Sequence, residues 1–155
     1  MRGGNGHPPR VCFVVESGTD VRLVEGLAAR SRLTIVARKV AGGREVSQPT
    51  QATFESVLGP SSFVRFAAFV FRWLAAHRTE FDALLVQGYG PAALATNLAA
   101  RWTGIPAVML VCSPVEAYYA CRRMDPQGRP YSKFEAWIIY LLARLNARLG
   151  QRYVV

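Results

Sequence analysis

Residues 81–114, FDALLVQGYGPAALATNLAARWTGIPAVMLVCSP, spell a strand, a loop, a helix and a second strand in unbroken order. Ala83 to Val86 is a short apolar run behind Glu80 and Asp82, and Gln87-Gly88-Tyr89-Gly90-Pro91 breaks it. Ala92 to Trp102 is rich in strong helix formers and ends at Gly104. Ala107 to Cys112 is continuously apolar without alternation, as strands are when helices cover both faces. The stretch is a βαβ unit, so its two strands are expected to be parallel.

Upstream of it, Val11 to Val15 predicts a first strand, followed by Glu16-Ser17-Gly18-Thr19-Asp20 and a helix from about Val21 to Arg30, capped by Asp20 or Thr19. Such a turn gathers backbone N–H groups and suits an anion, although it carries one glycine and no GxGxxG. Leu33 to Ala37 reads as a second strand. Ala41 to Phe54 is polar and aperiodic, a surface loop with room for one short edge strand near Val46. A helix is predicted from Ser61 to Arg78. Its apolar residues cover most of the circumference and leave Arg65 and Arg72 on one narrow face. Packing on a sheet accounts for that breadth, and an interfacial membrane helix would share it.

Downstream, Ser113-Pro114-Val115-Glu116-Ala117-Tyr118-Tyr119-Ala120-Cys121-Arg122-Arg123 follows the carboxyl end of a buried strand, where open α/β sheets bind ligands. Its hydroxyl, carboxylate, aromatic and guanidinium groups suit a sugar or a phosphate-bearing ligand, and equally suit loop packing. Ser132 and Glu135 form a capping box for a last helix, whose middle, Ala136 to Ala143, is apolar all round and is expected to be largely buried. Arg144 and Arg148 lie near its end, Gly150 stops it, and residues 151–155 read as a strand.

The 155 residues, 51% hydrophobic and 19% charged, suit one globular domain with a sizeable core. The formal net charge is +9, and all but Lys39 and Lys133 of the 19 basic residues are arginine, a balance that attracts phosphate of any kind. These arginines are scattered and match no nucleic-acid motif, so nucleic acid is not an expected partner. Three cysteines, Cys12, Cys112 and Cys121, indicate reduced thiols in a cytoplasmic setting, and no CxxC or Cys/His cluster suggests a metal site. No apolar run approaches the roughly 20 residues of a membrane span. Residues 1–9 are expected to be a flexible leader with no signal peptide character.

The pattern of residues 81–114 resembles the N-terminal domain of family 4 glycosyltransferases, in which an aspartate precedes an apolar strand and a small-residue helix ends in Gly104-Ile105-Pro106. Leu145-Asn146-Ala147-Arg148 to Tyr153-Val154-Val155 is similar to the helix and strand before that family's interdomain segment. The resemblance covers roughly residues 10–155. It implies an α/β fold with a Rossmann-like, mostly parallel sheet and helices on both faces, a three-layer sandwich. It also implies that this is the acceptor-side half of a GT-B enzyme, truncated before a C-terminal domain that binds most of the donor. The implied partners are a nucleotide-sugar donor and a glycan or lipid-linked acceptor, with peripheral contact at the inner face of the membrane, no cofactor and no metal.

On that resemblance, Ser113, Glu116, Tyr118, Tyr119, Arg122 and Arg123 position the acceptor, with Gly88, Tyr89 and Gly90 lining the same crevice, and Ser17, Gly18 and Thr19 face the donor. The family's paired glycines are missing from the first loop, Ser113 stands where many members place a histidine, and the donor-half Glu-x7-Glu signature is absent. No catalytic residue is assigned. The rival from another class is a noncatalytic α/β module that docks on a membrane or a partner through its arginine-bearing helices.

Overall fold

In the computed structural model, residues 7–16, 18–39, 54–111, 132–150 and 152–154 are described. Among them the strands are β1 (Arg10–Val15), β2 (Arg32–Arg38), β3 (Glu55–Gly59), β4 (Ala83–Gln87), β5 (Ala107–Leu110) and β6 (Arg152–Val154). The helices are α1 (Val21–Ala28), α2 (Phe63–Ala76), α3 (Pro91–Thr103) and α4 (Lys133–Leu149). All five strand pairings are parallel, in the order β3-β2-β1-β4-β5-β6. Consecutive strands turn one way from β1 and the other way from β4, so the direction of winding reverses between those two.

The unbroken apolar runs are explained by two cores. Side chains of a strand alternate between sheet faces. Cys12 and Val14 of β1, with Leu84 and Val86 of β4, join Phe66, Val70 and Leu74 of α2 and the alanines of α3 on one face. Phe13 and Val15, with Leu33, Ile35 and Ala37 of β2, join Val24 of α1 on the other. A strand wanted by both cores has no polar positions to spare. Cys12 is a free thiol in the first core, and burial pushes its pKa up to about 12, which leaves it inert.

Directly after the loop predicted over residues 41–54 comes a strand that the sequence reading did not name. Glu55–Gly59 pairs with β2 from Thr34↔Glu55 to Arg38↔Gly59 as an edge strand. ESVLG is short and three of its five residues are exposed, so its pattern barely differs from a loop. The suggested edge strand near Val46 lies outside the described residues. In α2 the sheet-packing reading holds: Phe66, Val70 and Leu74 are buried, Phe69, Phe71 and Trp73 pack against the same core, and Arg65 and Arg72 are exposed.

Helix termini follow their local chemistry. Asp20 caps α1 by accepting from the Arg22 backbone N–H at 2.9 Å, and Gly104, at φ 76°, closes α3 in the left-handed region. Ser132 and Glu135 form the expected capping box on α4. Arg101 of α3 donates to the Leu149 and Arg148 carbonyls at 3.2 Å, which places a cation against the carbonyl end of α4.

The expected burial of Ala136 to Ala143 is not what α4 shows. Ala143 is buried, yet Trp137 is 58% exposed, Tyr140 47% and Leu141 40%. The helix packs on α3 along one side and carries its other side in solvent. An all-apolar octet identifies no outward face, so periodicity gave no means of seeing this.

Candidate functional site

Parallel strands bring all their carboxyl ends to one edge, and the reversal of winding between β1 and β4 opens a crevice there. Two segments meet at it. From β1 comes Glu16, and from β4 comes the turn Gly88-Tyr89-Gly90 that leads into α3.

Glu16 joins the two. The Ala92 N–H in the first turn of α3 donates to Glu16 Oε1 at 3.0 Å, 76 residues along the chain. Gly90 is the N-cap of α3 and offers no side-chain cap, so the Glu16 carboxylate serves the helix start from across the crevice. Glu16 approaches so closely that a Cβ on Gly90 would overlap Oε2. Gly88 has φ 86°, a left-handed conformation that lets the chain turn out of β4 directly beside β1. Burial raises the Glu16 carboxyl above its ordinary range, and the Ala92 N–H and the charge of Arg38 offset part of that rise.

Arg38, at the carboxyl end of β2, forms the wall beyond. Its Nε donates to the Glu16 carbonyl at 2.8 Å, its Nη1 donates to the Ser61 carbonyl at 2.6 Å, and its guanidinium lies 3.8 Å over the Phe63 ring. A planar fork with a stacking face does all three, which an ammonium group would not. Thr19 Oγ1 is buried with no hydrogen-bond partner among the described residues.

A buried polar pair supports the turn from behind. Asn97 Nδ2 of α3 donates to Asn146 Oδ1 of α4 at 2.9 Å, and Asn146 Nδ2 donates to the Tyr89 carbonyl at 3.0 Å. The middle of the turn is thereby fixed from α4 as well as from β4.

Of the residues nominated by the sequence, Gly88, Tyr89, Gly90, Gly18 and Thr19 lie on segments that follow the carboxyl ends of β4 and β1. Ser17, Ser113, Glu116, Tyr118, Tyr119, Arg122 and Arg123 lie outside the described residues. Glu16, Arg38 and the asparagine pair went unnominated. A lone carboxylate at a strand end matches no motif, although its place just after an apolar run was a usable signal. Among the described residues no group of three His, Cys, Asp or Glu side chains is placed to hold a metal ion. No helix among them is long and apolar enough to cross a membrane.

A second hollow, of about 520 Å³, opens at the amino ends of the strands between Arg10, Arg32, Phe54, Glu55 and Glu80. It lies at the amino edge of the sheet, the wrong edge of an open parallel sheet for ligand binding. We therefore place the candidate site at the crevice.

Solved structures share this architecture. A UDP-glucosyltransferase from Polygonum tinctorium is 14% identical with a TM-score of 0.62, the match covering 96% of this chain and 46% of that one. Phytolacca americana UGT2, complexed with UDP-2fluoro-glucose and pterostilbene, is 12% identical with a TM-score of 0.57, over 96% of this chain and 48% of that one. UDP-GlcNAc 2-epimerase from Neisseria meningitidis, bound to UDP-GlcNAc, is 16% identical with a TM-score of 0.54, over 94% and 39%.

The fold is GT-B-like. Identities this low speak to the fold alone, and the chain spans less than half the length of each of these proteins. No family profile and no curated protein sequence matches the chain.

Proposed function

We propose that the chain is the acceptor-side half of a glycosyltransferase that moves a sugar from a nucleotide-sugar donor to an acceptor hydroxyl in glycan, glycolipid or polysaccharide synthesis. The observation that carries the reading is the crevice between β1 and β4, where Glu16 and the Gly88-Tyr89-Gly90 turn meet. Structural likeness to proteins complexed with UDP-sugars supports the choice of ligand class.

On this reading the acceptor hydroxyl attacks the anomeric carbon while the bond to the nucleotide diphosphate breaks, and the leaving diphosphate carries off the bonding electrons and takes up the hydroxyl proton. Gly18 and Thr19, with Ser17, face the donor. The turn Gly88-Tyr89-Gly90 and the segment bearing Ser113, Glu116, Tyr118, Tyr119, Arg122 and Arg123 hold the acceptor. Glu16 offers a carboxylate to a hydroxyl entering the crevice. A C-terminal donor-binding domain supplies the second wall, and the buried free thiol of Cys12 accords with a cytoplasmic setting.

Amide chemical-shift mapping of the chain with oligosaccharide and lipid-linked saccharide analogues tests the site. Shifts centred on Gly18, Thr19, Gly88, Tyr89 and Gly90 are expected. Shifts confined to Arg10, Arg32 and Glu55, around the opposite hollow, would overturn it. Glu116→Gln and the pair Tyr118→Ala with Tyr119→Ala are expected to weaken acceptor binding while thermal stability holds. A reading frame that runs past Val155 into a domain with two glutamates eight positions apart would support the half-enzyme assignment, and an immediate stop codon would count against it.

A further inference from the structure

The outward side of α4 is built unlike a solvated helix face. Phe134 is 67% exposed and stacks on Trp137 with ring centroids 6.3 Å apart, and Tyr140 and Leu141 continue the same side. At 100° per residue, these four and the exposed Lys133, Arg144 and Arg148 all fall within an arc of about 120°. The Arg144 guanidinium lies 5.7 Å over the Tyr140 ring. Glu135, the sole acid in the sequence of α4, falls on the far side of the helix, and its carboxylate accepts from the Ser132 N–H at 2.7 Å. The stripe therefore joins an aromatic patch to cations at both ends and carries no anion.

We propose that this face of α4 docks on an anionic membrane surface, with Phe134, Trp137, Tyr140 and Leu141 entering the headgroup boundary and Lys133, Arg144 and Arg148 meeting lipid phosphates. Charge complementarity selects this occupant. A helix lying in the interface needs apolar rings on the side where it also carries its cations. A dry contact with a second copy would instead bring like charges together in a chain whose formal net charge is +9. Tryptophan and tyrosine, with one wet and one apolar end, favour the same depth. The inference does not rest on the transferase reading, since it invokes neither donor nor acceptor.

Cosedimentation of the full chain with phosphatidylcholine vesicles, with and without phosphatidylglycerol, tests it. Binding is expected only with phosphatidylglycerol, to weaken with salt, and to fall about tenfold in Trp137→Ser and in the pair Arg144→Glu with Arg148→Glu. Arg65→Glu with Arg72→Glu, on α2, serves as the control and is expected to bind as the parent does. The substituted side chains are exposed, and unchanged thermal midpoints would show that folding is intact. Absence of binding to either vesicle, or binding that the α4 variants leave unchanged, would overturn the proposal. So would a concentration-dependent dimer that Trp137→Ser dissociates, because a second copy would then cover the face.

Discussion

Asn97 on α3 and Asn146 on α4 meet side chain to side chain at 2.9 Å with almost no exposure, and Asn146 passes the contact on to the Tyr89 carbonyl in the crevice turn. Buried amides are stable only when their donors and acceptors are matched, so this pair ties the position of α4 to the shape of the turn.

Asn146→Ala strips a donor from the Tyr89 and Leu142 carbonyls and an acceptor from Asn97. A loss of roughly 3 kcal/mol is expected in urea unfolding. Asn97→Ala is expected to lose less, and the double variant to fall short of the sum by about 1 kcal/mol. Strict additivity would show that the two amides do not act together.

Gly90→Ala is expected to destabilise the fold by roughly 1–3 kcal/mol, because its Cβ would overlap the Glu16 carboxylate. Removing the obstacle tests the cause. In Glu16→Ala the same Gly90→Ala change should become nearly neutral, which thermal melts of the four proteins in the cycle would reveal. An equal penalty in both backgrounds would locate the problem in the backbone instead.

Glu16 also predicts a slope of stability against pH. Its folded pKa is raised above the ordinary 4.5, chiefly by burial, so the folded state holds the proton more tightly than the unfolded chain. Stability is therefore lost as pH rises from 4.5 towards the folded value. Glu16→Gln keeps an oxygen for the Ala92 N–H and removes the titration. The variant is expected to match or exceed the parent at neutral pH and to lack that fall. A parent and a variant with parallel pH profiles would refute the assignment.

The opposite sign applies at the other end of the sheet. Arg10 and Asp82 pair at 2.9 Å where β1 and β4 begin, and the Arg10 backbone N–H also donates to Asp82 at 2.8 Å. The side-chain bond to Arg10 is the main cause that holds the Asp82 carboxyl below its ordinary 3.8. Its contribution is present above that ordinary value and fades as pH falls through the lowered one. Asp82→Asn is expected to be less stable than the parent at neutral pH, with the gap closing in acid. The effect is small because the pair is exposed. A gap that widens in acid would contradict it.

The central βαβ unit was legible because each of its signals is local: an apolar run, a Gly/Pro break, an alanine-rich helix, then Gly104. The capping box at Ser132 and Glu135 is local too. The edge strand Glu55–Gly59 escaped because five residues, three of them exposed, carry little period. The exposure of Trp137 escaped because it depends on which neighbours α4 lacks. Glu16 meets its partner Ala92 76 residues away, and Asn97 meets Asn146 at a separation of 49. Contacts of that range leave no trace in a window of sequence. Segments that bear on the site could be named from their position after strand ends, but the groups that shape it could not.

The pairing of β1 with β4 also bears on how the molecule forms. β1 finds β2 across a short helical connection, but its contact with β4 spans 72 residues from Arg10 to Asp82. Closing so long a loop gives up chain entropy before any pairing compensates for it. The crevice is absent until that closure occurs, so a nascent chain could carry β1, α1 and β2 in native form and still have nowhere to receive a ligand. Ligand binding would then report the completion of folding rather than its progress.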